Sequence, residues 1–166
     1  KNHKISKGIL YHNFSGKTEI YLACVRESFQ KAVSIIRGES GDIPSLVEYV
    51  ERRHRFSKDF PHHSHVFFEA WMTAPAEIAE EVEKEKAVFE DLNRQVSEKL
   101  LAESTLKDHI SQEQALDYLT FIQQLFRSYY LVASGSEEAG SLASQYENDL
   151  QKVLHLMIYG IFKDGE

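Results

Sequence analysis

Three groupings of side chains in this 166-residue sequence are of types that do chemistry. On a helix begun at Ser6, Lys7 and Tyr11 share one side with Gly8 and His12, while Ile9, Leu10 and Asn13 point the other way. An ammonium, a phenol and an imidazole on one wet face can donate to phosphate oxygens and to base edges. Ser6 can cap such a helix and leave its first N–H groups and positive dipole end for a phosphate. Gly8 leaves room for a backbone or a base edge to come close. The same pattern also suits an ordinary peripheral surface helix.

The second grouping is His62, His65 and Glu69, on one helical face with His63 and His54 near in sequence. Two imidazoles and a carboxylate suit zinc or a similar cation. Three ligands on one helix seldom converge on one ion without a second segment, so exposed histidines are the simpler expectation. The third is Glu85, set in an otherwise apolar stripe (Ile78, Val82, Phe89, Val96, Leu100). A carboxylate there needs a partner, either an internal cation or polar contact such as Arg127 or Gln123, or a cationic ligand. Nucleophile motifs, Gly-rich phosphate loops, metalloprotease pairs and paired CxxC motifs do not occur, so no enzyme is expected and no cofactor. The alternatives are a metal-assisted enzyme built on His62, His65 and Glu69, and a helical interaction protein with no DNA role.

The elements that must position these residues read as all-α. Three prolines and eight glycines interrupt the chain, and strand-like alternation never persists. Helices are expected over 6–13, 17–37, from Asp42 with Pro44 close behind to just before Pro61, and 62–72. A long acidic helix runs from Pro75 to about Ser104. Ser111 with Gln114 three residues on is a capping-box pattern, opening a helix that ends at Ser134-Gly135. Ser136, with Glu137 and Glu138 behind it, opens a last helix to about Lys163. The acidic run from Glu77 to Glu85, interleaved with Lys84 and Lys86, reads mostly as a solvated face.

At 42% hydrophobic and 27% charged, the chain can bury a core without disulfides or a structural metal. The single Cys24 excludes an internal disulfide framework; it reads as a packed small residue, and with no leader in view it points to a cytoplasmic setting. No apolar run reaches transmembrane length, so no membrane partner is expected. The net charge of −7 is uneven: residues 1–31 carry +4 and the remainder −11. A basic end on an acidic body attracts a polyanion at one place and repels it elsewhere.

The string Ile5-Ser6-Lys7-Gly8-Ile9-Leu10-Tyr11-His12-Asn13-Phe14-Ser15-Gly16-Lys17-Thr18-Glu19-Ile20-Tyr21-Leu22 resembles the second half of the helix-turn-helix domain of tetracycline-repressor-like (TetR) transcriptional regulators. That pattern has a small or β-branched residue, Ser, a variable residue and Gly, then Leu-Tyr, a Phe, and Lys before Glu-Leu. Ile9, Asn13, Thr18 and Ile20 depart from it mildly. The resemblance implies residues 1–31 as the C-terminal part of a DNA-binding head and 32–166 as a helical ligand-binding and dimerisation domain. It implies DNA contacts by Ser6, Lys7, Gly8, Tyr11, His12 and Lys17 on a double-stranded operator. Two further helices precede the string in that family, and without them the first dozen residues are expected to be poorly held.

The family pairs through its last two helices, so the resemblance also implies a homodimer. On the penultimate helix Tyr118, Phe121, Ile122, Leu125, Tyr129 and Val132 form one apolar face, and Leu116, Leu119, Phe126 and Tyr130 another. The second face, with Leu142, Tyr146, Leu150, Val153 and Met157 of the last helix, is expected at the dimer interface. A cavity for a small-molecule inducer is expected among Phe56, Phe60, His63, Phe67, Trp71, Glu85 and Phe89, closed by Phe121, Leu125 and Tyr129. Aromatic stripes at helical spacing also suit plain core.

Overall fold

A computed structural model describes residues 12–133, 145–150 and 152–156, and among these every regular element is helical. Helix α1 spans Lys17–Arg37, α2 Leu46–Asp59 and α3 Pro61–Met72. A 3₁₀ turn at Ala76–Ile78 leads into α4, Ala79–Glu103, and α5 covers Gln112–Ala133. Residues 145–150 and 152–156 are also helical. None of the described helices is long and apolar enough to cross a membrane.

Helix α1 packs against α2, α3 and α4 through Val25, Ser28, Phe29, Ala32 and Ile36, the spacing of one helical face. It is one uninterrupted helix across the expected domain boundary at residue 31. Its end is fixed by Arg52, whose Nη1 donates to the carbonyls of Ile36 and Arg37 at 2.8 Å each. Those carbonyls lack intrahelical donors, and a guanidinium suits the negative dipole end. Gly38 follows with φ of 74°, a conformation that favours glycine, and a Cβ there would stand 3.0 Å from Arg52 Nη1 and press on that guanidinium.

The start of α2 differs from the expectation at Asp42. Ser45 is the N-cap: its hydroxyl accepts from the Glu48 N–H at 3.3 Å, and Glu48 Oε2 accepts from the Ser45 N–H at 2.9 Å. Pro44 precedes the cap and forces an extended entry, so the reciprocal pair wins over a lone Asp. The Ser45 backbone N–H, then its hydroxyl, hold the Glu48 carboxyl below the usual carboxylate range. A depressed carboxylate contributes stability above its unfolded pKa, which is lost as pH falls through the lower folded value. Ser45→Ala is expected to cost about 1 kcal/mol in urea unfolding near neutral pH, with a smaller difference in acid. At α5 the expected capping box is in place: the Ser111 N–H donates to Gln114 Oε1 at 2.9 Å and the Gln114 N–H to Ser111 Oγ at 3.1 Å.

The centre is aromatic. Phe67 stacks on Trp71 with ring centroids 5.8 Å apart, and Phe89 meets both edge-on at 4.9 and 5.2 Å. Phe29 of α1 reaches Phe67 at 4.6 Å and Trp71 at 6.1 Å, and Phe56 closes the cluster edge-on to Phe67. A second cluster joins α5 to the 145–150 segment: Phe126, Tyr130 and Tyr146 lie 4.9 to 5.1 Å apart, with Phe68 edge-on to Tyr146. Two expectations of burial fail here, one in each direction. Lys86 is buried, its ammonium 2.6 Å from Glu83 Oε1, because its position follows the inward stripe of Val82 and Phe89. Cys24 is exposed, since α1 buries the adjacent Val25 instead.

Candidate functional site

Between α2, α4, α5 and the helical residues 145–150 and 152–156 lies a cavity of about 290 Å³. Tyr49 and Arg53 come from α2, Trp71 from α3, and Glu90, Asn93, Arg94 and Ser97 from α4. Helix α5 contributes Thr120, Gln123, Gln124 and Arg127, and the residues described after it Tyr146, Leu150 and Leu154. A smaller recess of about 20 Å³ shares Tyr49, Asn93, Ser97, Gln123 and Leu154. The cavity therefore has an aromatic and aliphatic floor and an amide-rich wall.

Arg53 organises the floor. It is buried, and both oxygens of Glu147 accept from it, Oε2 from Nε at 3.1 Å. Its Nη1 donates to the Tyr49 hydroxyl at 2.9 Å, and that hydroxyl donates to Asn93 Oδ1 at 2.6 Å. The guanidinium also lies over the rings of Phe89, Tyr49 and Tyr146 at 5.4, 5.6 and 5.9 Å. Burial opposes the charge, but the Glu147 carboxylate beside it holds Arg53 well above the ordinary arginine range. Burial likewise pushes the phenols of Tyr49 and Tyr146 up, so both stay protonated at neutral pH.

Arg127 organises the wall. Its Nη2 donates to the Trp71 carbonyl at 3.1 Å, its guanidinium lies 4.8 Å over the Trp71 ring, and its Nη1 is 3.5 Å from Glu90. The Trp71 carbonyl belongs to the last turn of α3, where a donor from outside the helix is needed. Arg127 thus ties the end of α3 to α5.

The residues expected to line the cavity are mostly elsewhere. Trp71 lines it. Phe56, Phe67 and Phe89 are buried in the aromatic cluster, packed on one another's rings. Phe60 lies past the end of α2 with Lys31 over its ring at 4.5 Å, and His63 faces Glu27 at 3.6 Å. Glu85 is not a cavity group: Arg26 of α1 donates to it through Nε at 2.8 Å, the internal partner its position demanded.

The two faces of α5 are exchanged relative to expectation. Phe121, Leu125 and Tyr129 are outside the cavity, 61%, 55% and 67% exposed, in a stripe with Tyr118 and Val132. Leu119 and Tyr130, expected at the interface, are buried, and Leu116 and Phe126 pack half-buried against the core. Tyr146 and Leu150 line the cavity and join the core, and Val153 packs beside them. Both faces have helical period, so periodicity cannot rank them; Tyr130 turns inward because its hydroxyl finds Asp149 at 2.6 Å. Ser6, Lys7, Gly8, Tyr11, Leu142 and Met157 lie outside the described residues.

His12 and Lys17 are exposed on either side of the Phe14-Ser15-Gly16 turn. Glu19 closes that turn, its Oε2 accepting from the Ser15 hydroxyl at 2.8 Å and from the Ser15 N–H. The histidine grouping stays open to water: His62 is exposed and His65 stands 3.8 Å from Glu69. Glu69 also flanks the Tyr21 phenol, which burial first and this carboxylate second push above its ordinary range. Among the described residues no three His, Cys, Asp or Glu side chains are placed to hold a metal ion.

Arg53 and Asn93 were not anticipated, and Gln123 was expected only as a polar contact for Glu85. Arg53 had a readable signal, a cation one turn from Tyr49 on the face that buries Phe56, the same kind of break that marked Glu85. Comparison of the chain with protein-family models, curated proteins and solved structures finds no match.

Proposed function

We propose that the chain is a ligand-responsive DNA-binding transcriptional regulator, a repressor released from its operator by a small-molecule inducer and acting as a homodimer. The observation that carries this reading is continuity between its two ends. The string resembling a TetR-type reading head runs into α1, α1 sets Phe29 against Trp71, and Trp71 lines the cavity. A ligand that shifts Trp71 or Arg127 changes the surface on which α1 rests, and so the spacing of two reading heads. Coupling of about 1–3 kcal/mol, or about 5–150-fold in operator affinity, is typical of such linkage.

The dimer surface in this reading is the exposed stripe of Tyr118, Phe121, Leu125, Tyr129 and Val132 on α5. Their spacing of three and four residues forms a seam suited to a second helix. Two copies joined there carry two heads, as half-sites one or more helical turns apart require.

The test is a mobility shift of the full-length protein on its own promoter DNA at several salt concentrations. Sequence-dependent, salt-sensitive binding is expected. Lys17→Ala is expected to weaken it across sequences and to reduce the salt slope by about 1, with helical content unchanged. Binding that ignores both sequence and salt would leave only a helical interaction protein.

A further inference from the structure

Each guanidinium around the cavity already contacts a carboxylate of the chain, and this constrains what can enter it. Both oxygens of Glu147 close Arg53. Arg94, at the rim, gives Nη1 to Glu98 at 2.6 Å and Nη2 to Asp91. Arg127 serves the Trp71 carbonyl and ring and faces Glu90. Three guanidiniums therefore meet four carboxylates, so a ligand anion must displace a carboxylate from an arginine and a ligand cation must compete with an arginine for a carboxylate. An ion that loses its hydration without a spare partner binds poorly.

The uncommitted polar groups are neutral. Among the described residues the side-chain amides of Gln123 and Gln124 make no hydrogen bond, and Asn93 uses only its oxygen, for Tyr49. Gln123 is half-buried and lines both the main cavity and the recess beside it. A glutamine arm presents one acceptor beside two donors, the complement of a carboxamide, a lactam or a heterocycle edge. The same cavity is lined by Tyr49, Tyr146, Leu150 and Leu154, a surface for a flat apolar body.

We propose that the cavity takes an uncharged, flat ligand whose carboxamide-like edge pairs with the side chain of Gln123; this rests on the reading of the chain as a ligand-responsive regulator. Gln123 is then the residue that selects against ionic analogues of the same shape. A buried donor and acceptor left unpaired by the wrong analogue make that selection.

Calorimetric titration of the full chain with 2-naphthamide, 2-naphthoate and 2-naphthylmethylammonium presents one ring system as a neutral molecule, an anion and a cation. The amide is expected to bind about 10-fold more tightly than either ion, the size of one well-formed hydrogen bond. Gln123→Leu, which keeps the volume, is expected to weaken the amide by about 3–10-fold and leave the ions unchanged. Gln123→Glu is expected to move the preference to the ammonium, a response that a merely space-filling residue would not give. Tighter binding of the naphthoate, equal binding of all three, no amide binding, or an unaltered preference in both variants overturns the proposal. The promoter mobility shift separates the two readings. Amide selectivity without DNA binding removes the regulator and keeps the ligand class, and DNA binding with naphthoate selectivity does the reverse.

Discussion

Glu147→Ala is expected to lower the unfolding free energy by about 3–5 kcal/mol. The carboxylate is the only anion in hydrogen-bond contact with Arg53 among the described residues, and the Arg53 side chain is 8% exposed. Removing it leaves a buried guanidinium beside Tyr49, Phe89 and Tyr146 with no counter-charge. The loss also reaches beyond the pair. Tyr49 accepts from Arg53 and donates to Asn93, so three helical segments relax together. Replacing both partners with apolar residues of similar volume, Arg53→Met with Glu147→Leu, is expected to recover most of the stability, because a buried pair contributes little beyond not being half-broken. Urea unfolding followed by far-UV circular dichroism reads both. A single-variant loss below about 1 kcal/mol would mean that water reaches Arg53 freely.

The second large effect concerns assembly. If the chain is the proposed dimeric regulator, Phe121→Glu together with Leu125→Glu is expected to leave it monomeric at micromolar concentration and to abolish operator binding. Central apolar anchors of an interface are each worth about 2 kcal/mol or more, so two charges facing two charges across a twofold axis exceed what the remaining stripe can offset. Folding should survive, because both side chains are already mostly exposed in the single chain. Leu119→Glu is the contrast: at 3% exposure it should unfold the protein instead. Sedimentation velocity separates the cases, and a double variant that remains dimeric would move the interface away from this stripe.

The helical boundaries were legible where a local signal decides them. Ser111 with Gln114 marked the start of α5, and the glycine after Arg37 marked the end of α1. Asp42 misled because a single good capping residue is weaker than the reciprocal Ser45–Glu48 pair three residues on. Glu85 showed that it needed a cation, but not which one, since Arg26 lies 59 residues away on another helix. The inward face of α5 was illegible for a related reason. Two apolar faces of equal period differ only in what lies opposite, and the Asp149 that draws Tyr130 inward is itself placed by tertiary packing. The cavity was harder still, because its wall is built from Asn93, Gln123 and Arg127, residue types that also furnish ordinary solvated surfaces. The aromatic residues that looked like a pocket are packed on each other.

The chain contains a single tryptophan, and Trp71 touches Phe29 of α1 on one side while lining the cavity beside Arg127 on the other. Its ultraviolet emission is therefore a built-in optical reporter: a change in the distance of the guanidinium alters the field on the excited indole, and a change at Phe29 alters its rotational freedom. Emission wavelength and anisotropy can be followed in one cuvette, without attaching a dye to Cys24.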